Sequence, residues 1–400
     1  MTQRRTLLTG ALGAAALTAL TPAAPASARG GRRGPLVLVG GSLSDGNTEI
    51  YGEIVRRAGG ARARIGVLTA ASIPPSQDPD AGSPDAVNSV TNGRYYADLL
   101  RAHGAGEAVW IPVDLDRIAA ADDPAVAALA ASCTGFFFGG GDQFRYLTTM
   151  VRGQAHADSL LLAAIRRRHA AGAVVAGSSA GAQIQQGPDM VTGGESYNAL
   201  RDGSHPGYFD DPDTSGYWPA GGFGLLTSGL IDTHFSAYGR LGRAVELAVT
   251  TGNRRVYGLD ANTALLVTDP GGREELGRVL GTGGVNVLDL RDGVRWSHLS
   301  AGFTYRPRSW QADAPSGLRP LGHAAADEVT GSEDVFGDDV AIGLALRLAA
   351  SRTRSVTSHT RQSDPRFAVT FTKTPRFSAY TGDGRTAAAF TDLAVHIRQA

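Results

Sequence analysis

The chain has 400 residues, with 38 basic and 38 acidic side chains and a formal net charge of zero. That balance offers no basic face of the kind nucleic acid requires. A single cysteine, Cys133, excludes any intramolecular disulfide and reads as a buried, inert thiol beside an apolar strand.

The first element is a signal rather than part of a fold. Arg4-Arg5 precedes an apolar, alanine-rich stretch from Leu7 to Leu20, and Ala26-Ser27-Ala28 supplies the small residues that signal peptidase needs. Residues 1–28 are therefore expected to be an export signal, of the twin-arginine type, that delivers the chain outside the cytoplasm. The apolar stretch is shorter than the ~20 residues a bilayer core demands, and no later segment is long and apolar enough to span.

From Gly34 the pattern alternates. Pro35 to Gly41 is a short apolar run closed by glycines, the signature of a buried strand, and Arg64 to Thr69 repeats it. Helical spacing covers Ile50 to Ala58 and Val87 to His103. A strand is expected at Val109–Val113, another at Gly135–Phe138 and a third at Ala173–Ala176, with a helix over Ser159 to Ala171. Strands alternating with helices predict an α/β fold with a doubly wound, mostly parallel, flavodoxin-like sheet. Ile73 to Ser89 and Gly187 to Gly222 read as loops, the second long and rich in aromatics. Beyond Arg308 the character changes: Asp339 to Ala350 looks helical and Arg366 to Thr372 alternates like a strand. The expected division is a signal at 1–28, a domain at 34–305 and a C-terminal extension of unassigned role at 306–400.

Chemistry is expected where strands end. Gly177-Ser178-Ser179-Ala180-Gly181 fits G-x-S-x-G, follows an apolar strand and precedes a short helix expected at Ala182–Gln186. A sharp strand-to-helix turn of that kind lifts a serine hydroxyl out of the sheet and aims helix N–H groups at developing negative charge. The N–H of Ala180, with that of Gly140 or Gly141 from Phe138-Gly139-Gly140-Gly141-Asp142-Gln143, would form an oxyanion hole. Gln143 could reach a substrate amide. His234, in Asp232-Thr233-His234-Phe235, is the candidate base, because an imidazole titrating at ~6.5 suits proton shuttling near neutrality.

Together these segments resemble cyanophycinase: Gly139 to Gln143, Gly177 to Ala182, Asp232 to Phe235 with Gly239 to Arg243, and Gly258 to Ala264, with Gly277 to Leu290 continuing the match. The resemblance spans roughly Gly34 to Tyr305. It implies a serine peptidase related to aspartyl dipeptidase, on a fold like that of class I glutamine amidotransferases. The implied substrate is cyanophycin, a polymer of aspartate and arginine released as β-aspartyl-arginine by an acyl-enzyme route, without metal or organic cofactor. A homodimer is also compatible with it. Ser179 falls on the nucleophile and His234 on the base, while Gln143, Asp232, Arg240 and Arg243 fall on substrate-contacting positions. Arg240 and Arg243 read equally well as solvated charges on a helix face.

The chain also departs from that pattern. Ala261 stands where the family carries the glutamate that orients its histidine, and Thr233 and Tyr238 replace a glutamine and an arginine. Glu195 is the expected substitute acid, since neighbouring Asp260 would point away from the face that Ala261 occupies. Two other readings stay open on sequence alone. One is an α/β-hydrolase esterase using Ser179, Glu195 and His234. The other is an impaired protein that keeps the fold and still binds acidic peptides.

Overall fold

The computed structural model describes residues 33–322 and 328–400, so the expected export signal lies outside the described residues. Five short strands come first: β1 (Leu36–Val39), β2 (Arg64–Leu68), β3 (Glu107–Trp110), β4 (Gly135–Phe138) and β5 (Val174–Ser178). They pair in parallel in the order β1-β5-β4-β2-β3. The β1, β4 and β5 strands are buried along their whole length, which explains their unbroken rather than alternating apolar sequence.

Helices cover both faces of this sheet. Helices α1 (Thr48–Ala58) and α2 (Ser89–Ala102) bury Ile50, Ile54 and Leu100 against Val37, Val67 and Phe137. Helices α3 (Pro124–Ala131), α4 (Gln143–Met150) and α5 (Leu160–Ala170) bury Val126, Leu147 and Ile165 on the other face, against Phe136, Phe138 and Val175. The side-chain period of a strand thus splits Phe136-Phe137-Phe138 between two cores. Helix starts are capped as their sequences suggest: Asn88 and Thr91 form a reciprocal capping box at α2.

The rest of the chain extends this sheet and builds a second one. It contains α6 (Ala180–Gln183), α7 (Ser196–Asp202), β6 (Leu230–Thr233), α8 (Leu241–Thr251), β7 (Arg255–Leu259) and β8 (Thr263–Thr268). There follow β9 (Leu276–Gly281), β10 (Gly284–Asp289), β11 (Val294–Ser300), α9 (Val340–Ala350), β12 (Phe367–Thr381) and β13 (Ala389–Gln399). Strand β8 joins β1 antiparallel and β9 joins β8, and with Thr304–Arg306 and Gln311–Asp313 the central sheet reaches nine strands. The second sheet has eight, with the spine β6-β7-β10-β11-β13-β12.

The described residues after 305 are built into the same compact unit as the preceding domain. They supply β12, β13 and α9 to the second sheet, where Phe371 and Phe390 pack on Trp296. Each of these phenylalanines is fully buried and contributes on the order of 2–3 kcal/mol. The stretch expected as one long loop, Gly187 to Gly222, instead folds into a strand at Met190–Gly193, helix α7 and a strand at Gly216–Trp218.

Candidate active site

The carboxyl ends of β1, β4 and β5 lie side by side, with Val39 opposite Ser178 and Phe138 opposite Gly177. The residues leaving these strands, Gly40-Gly41, Gly139 to Gly141 and Ser179, therefore converge. Ser179 has φ 54° and ψ −121°, a conformation costly for any residue with a Cβ. Its N–H donates to Val39 O at 3.0 Å, and its carbonyl accepts from Ala182 and Gln183 at 2.8 and 3.0 Å. The flanking glycines have a steric cause. A Cβ on Gly177 would stand 2.0 Å from Gly181 O, and one on Gly181 would stand 2.1 Å from Phe138 O. Any side chain there would push the elbow off the sheet.

His234 leaves β6 with φ 49°, a second strained residue at the same place. Its N–H donates to Gly40 O at 2.7 Å, fixing the ring over the end of β1. Nε2 then lies 2.9 Å from Ser179 Oγ. Burial, and after it the Arg240 cation, lowers the imidazole pKa, so the ring is neutral and able to accept a proton near pH 7. The two residues open onto a cleft of about 300 Å³ that Gln143, Thr192, Thr233, Tyr238, Arg240 and Arg243 help to line.

Asp232 and Arg243 do not face solvent or each other loosely. Arg243 Nε and Nη2 donate to the two Asp232 oxygens at 2.9 and 2.6 Å, and Nη1 donates to Gly194 O at 2.6 Å. Both side chains are almost wholly buried, so the reading of Arg243 as a solvated charge does not hold. Burial works against the Arg243 cation, but the Asp232 carboxylate outweighs it and raises the guanidinium pKa. Arg240 is also largely buried and donates to Thr233 O at 2.5 Å, with Asp232 Oδ1 at 3.4 Å. With its carboxylate taken by Arg243, Asp232 anchors the strand end behind His234 and has little left for a substrate guanidinium. Arg240 Nε and Thr233 Oγ1 are buried without a hydrogen-bond partner, so polar capacity at the cleft remains open.

The structure does not bring Glu195 to the imidazole. Its side chain is exposed at the start of α7, with no hydrogen bond to His234. Asp260 lies just past the end of β7, outside the strand whose alternation was expected to orient it, and its carboxylate is engaged elsewhere. It accepts from Ser236 N at 3.1 Å, Asn286 Nδ2 at 2.9 Å and Gly284 N at 3.2 Å, and burial raises its pKa to about 6. Among the described residues no carboxylate pairs with His234. A triad built on Glu195, which the esterase reading requires, is therefore absent from this geometry.

The remaining expected residues gather at the cleft. Gly140 abuts the serine, since a Cβ on it would lie 3.4 Å from Ser179 Cβ and 3.9 Å from Oγ. Among the described residues no carbonyl accepts from the N–H of Gly140, Gly141 or Ala180. Gln143 Nε2 donates to Val191 O at 2.7 Å, which fixes its amide against the cleft wall. Sequence reasoning missed Gln183 and Thr192 as lining residues. Gln183 was within reach of it, because a residue one helical turn past an elbow serine shares its face.

No family model matches the chain. Among characterised proteins, the cyanophycinase of Synechococcus elongatus is 31% identical over 264 residues, covering 66% of this chain and 70% of that one. The chain belongs to the cyanophycinase family. The cyanophycinase of Nostoc sp. is 29% identical over 259 residues, covering 63% of this chain and 73% of its own. A solved peptidase from an acI-B1 actinobacterium is 19% identical, with a TM-score of 0.47 across 69% of this chain and 97% of that one.

Proposed function

We propose that this chain is a serine peptidase that hydrolyses cyanophycin, or closely related aspartyl peptides, through an acyl-enzyme on Ser179. The observation that carries the reading is the 2.9 Å contact between Ser179 Oγ and His234 Nε2 at a strained elbow. Nε2 takes the hydroxyl proton as Oγ attacks the scissile carbonyl, and the N–H groups of Ala180 and Gly140 or Gly141 hold the oxyanion. The C–N bond then breaks, with His234 returning the proton to the leaving amine. Water attacks the acyl ester, gives its proton to His234 and restores the serine. The arginine-lined cleft, with Arg240 cationic at its wall, suits the carboxylates of an aspartate backbone. Digestion of cyanophycin, followed by mass spectrometry of the products, tests this reading.

The lone imidazole favours a second reading, an impaired enzyme that retains binding. Loss of the orienting acid costs ~10⁴-fold in a well-studied triad. Ala261→Glu separates the two. If the chain is impaired because His234 lacks an orienter, this variant should raise kcat at least about tenfold on a β-aspartyl peptide, whereas an active parent that gains nothing from the glutamate supports the peptidase. A variant as inert as an inert parent supports the impaired binder.

Export is part of the proposal. Its support is Arg4-Arg5, the apolar stretch and Ala26-Ser27-Ala28. Replacing both arginines by lysine should leave the chain in the cytoplasmic fraction of its host. Unchanged export would point to the general secretory route.

A further inference from the structure

An imidazole that serves as a base must be held in one orientation. In this chain the hydrogen bond that would ordinarily hold it is missing, because no carboxylate pairs with His234 among the described residues. Something else occupies the ring. Tyr238 lies in the same turn and covers His234 in a near-parallel stack, with centroids 4.9 Å apart and planes inclined by 8°. Its N–H donates to His234 O at 3.0 Å, closing the turn that brings the two rings together. Arg240 Cζ sits 5.0 Å from the centre of the Tyr238 ring and anchors to Thr233 O, so the tyrosine is itself restrained. From β1, the Gly41 backbone closes on the Cε1–Nε2 side of the imidazole, where an added Cβ would come within 2.2 Å of both atoms. The ring is thus boxed between backbone and an aromatic face.

We infer that Tyr238 is a positioning residue that orients His234 by stacking, in place of a triad carboxylate. The inference rests on the assignment of Ser179 and His234 as nucleophile and base. Tyr238 is half-exposed, 50% accessible, and its hydroxyl has no hydrogen bond among the described residues. Core packing is therefore not what keeps an aromatic ring at this position. A flat π face restrains rotation of a parallel ring and is attracted to the imidazolium that forms during turnover.

The test measures the rate at which a fluorophosphonate modifies Ser179, a reaction in which the Oγ–P bond forms, fluoride leaves and His234 accepts the proton. Intact peptide mass spectrometry locates the adduct, and the rate is followed from pH 5 to 9. Tyr238→Phe keeps the flat face without the hydroxyl, Tyr238→Leu keeps bulk without the face, and Tyr238→Ala removes both. Tyr238→Phe is expected to react at the parent rate, whereas Tyr238→Leu and Tyr238→Ala should be at least about tenfold slower at saturating pH. The acidic limb of the Ala profile should also move up toward the ordinary imidazole value of ~6.5, as water reaches the ring. The charged groups that act on that limb are Arg240 in the same turn, Asp232 on β6 and Arg243 on α8, all left in place.

Parent-like rates in the Leu or Ala variant overturn the inference, and so does a Phe variant as slow as Ala. A parent chain that carries no adduct at Ser179 overturns the nucleophile assignment instead, and with it the premise of this inference. Thermal unfolding of each variant accompanies the kinetics. If Ala is unstable, the comparison of Leu with Phe decides.

Discussion

Ser179→Ala is expected to lower peptide turnover by ~10⁴- to 10⁶-fold while leaving the fold intact, as single-turnover kinetics and thermal unfolding would record. The size of the effect follows from the geometry. Ser179 holds φ 54° because β5, α6 and two glycines with no room for a side chain impose it. The strained elbow has no packing purpose that a less strained residue could not serve, and its result is a hydroxyl aimed at His234 Nε2. Removing the oxygen removes the hydroxyl that faces His234 Nε2 and would form the acyl ester. It costs the fold little, because alanine meets the same backbone and, among the described residues, the oxygen's only hydrogen bond is to His234. Residual activity near the parent level would mean that the nucleophile lies elsewhere.

Arg243→Met should destabilise the protein by about 3–5 kcal/mol, read as a lower urea midpoint at pH 7. Asp232 and Arg243 form a bidentate pair with almost no access to water, and the third Arg243 donor reaches Gly194 O. Deleting the guanidinium leaves the buried Asp232 carboxylate unpaired except for the 3.4 Å contact to Arg240 Nη1, and frees the Gly194 carbonyl just past the Met190–Gly193 strand. The penalty comes mainly from that unpaired charge, so Asp232→Leu combined with Arg243→Met should recover much of it. Arg243→Lys should not, because a point charge cannot reproduce two parallel N–H···O bonds. Turnover should fall in Arg243→Met as well, since Asp232 precedes His234 by two positions on the same strand end. A variant that melts like the parent would show that the pair adds nothing net to stability.

The parallel half of the central sheet was legible because its strands are short apolar runs that end in glycine, as in Leu36 to Gly41 and Gly135 to Gly141. The elbow was legible for the same reason, with Ser179 fixed by its neighbours in sequence. The second sheet was not. Its strand β7 is buried along its whole length and so lacks the alternation that marks a half-exposed strand. The alternation of Arg366 to Thr372 did mark the first half of β12, which runs on through Pro375 to Thr381, but β13 was missed although Leu393, Val395 and Ile397 alternate with Ala394, His396 and Arg398. Contacts across elements were the other gap. The Asp232–Arg243 pair depends on how α8 docks against β6, and no spacing rule reports that. Glu195 had a plausible separation from Ser179, yet the strand and helix that form between Gly187 and Gly222 turn it outward. The stacking of Tyr238 on His234 depends on the positive φ at His234, a tertiary consequence of the bond to Gly40 O.

The most direct test of the central claim is digestion of purified cyanophycin by the chain lacking residues 1–28, with Ser179→Ala alongside and products identified by mass spectrometry. The predicted result is β-aspartyl-arginine released by the parent chain and not by the variant. Equal release from both, or intact polymer in the presence of a chain whose Ser179 reacts with fluorophosphonate, would contradict it.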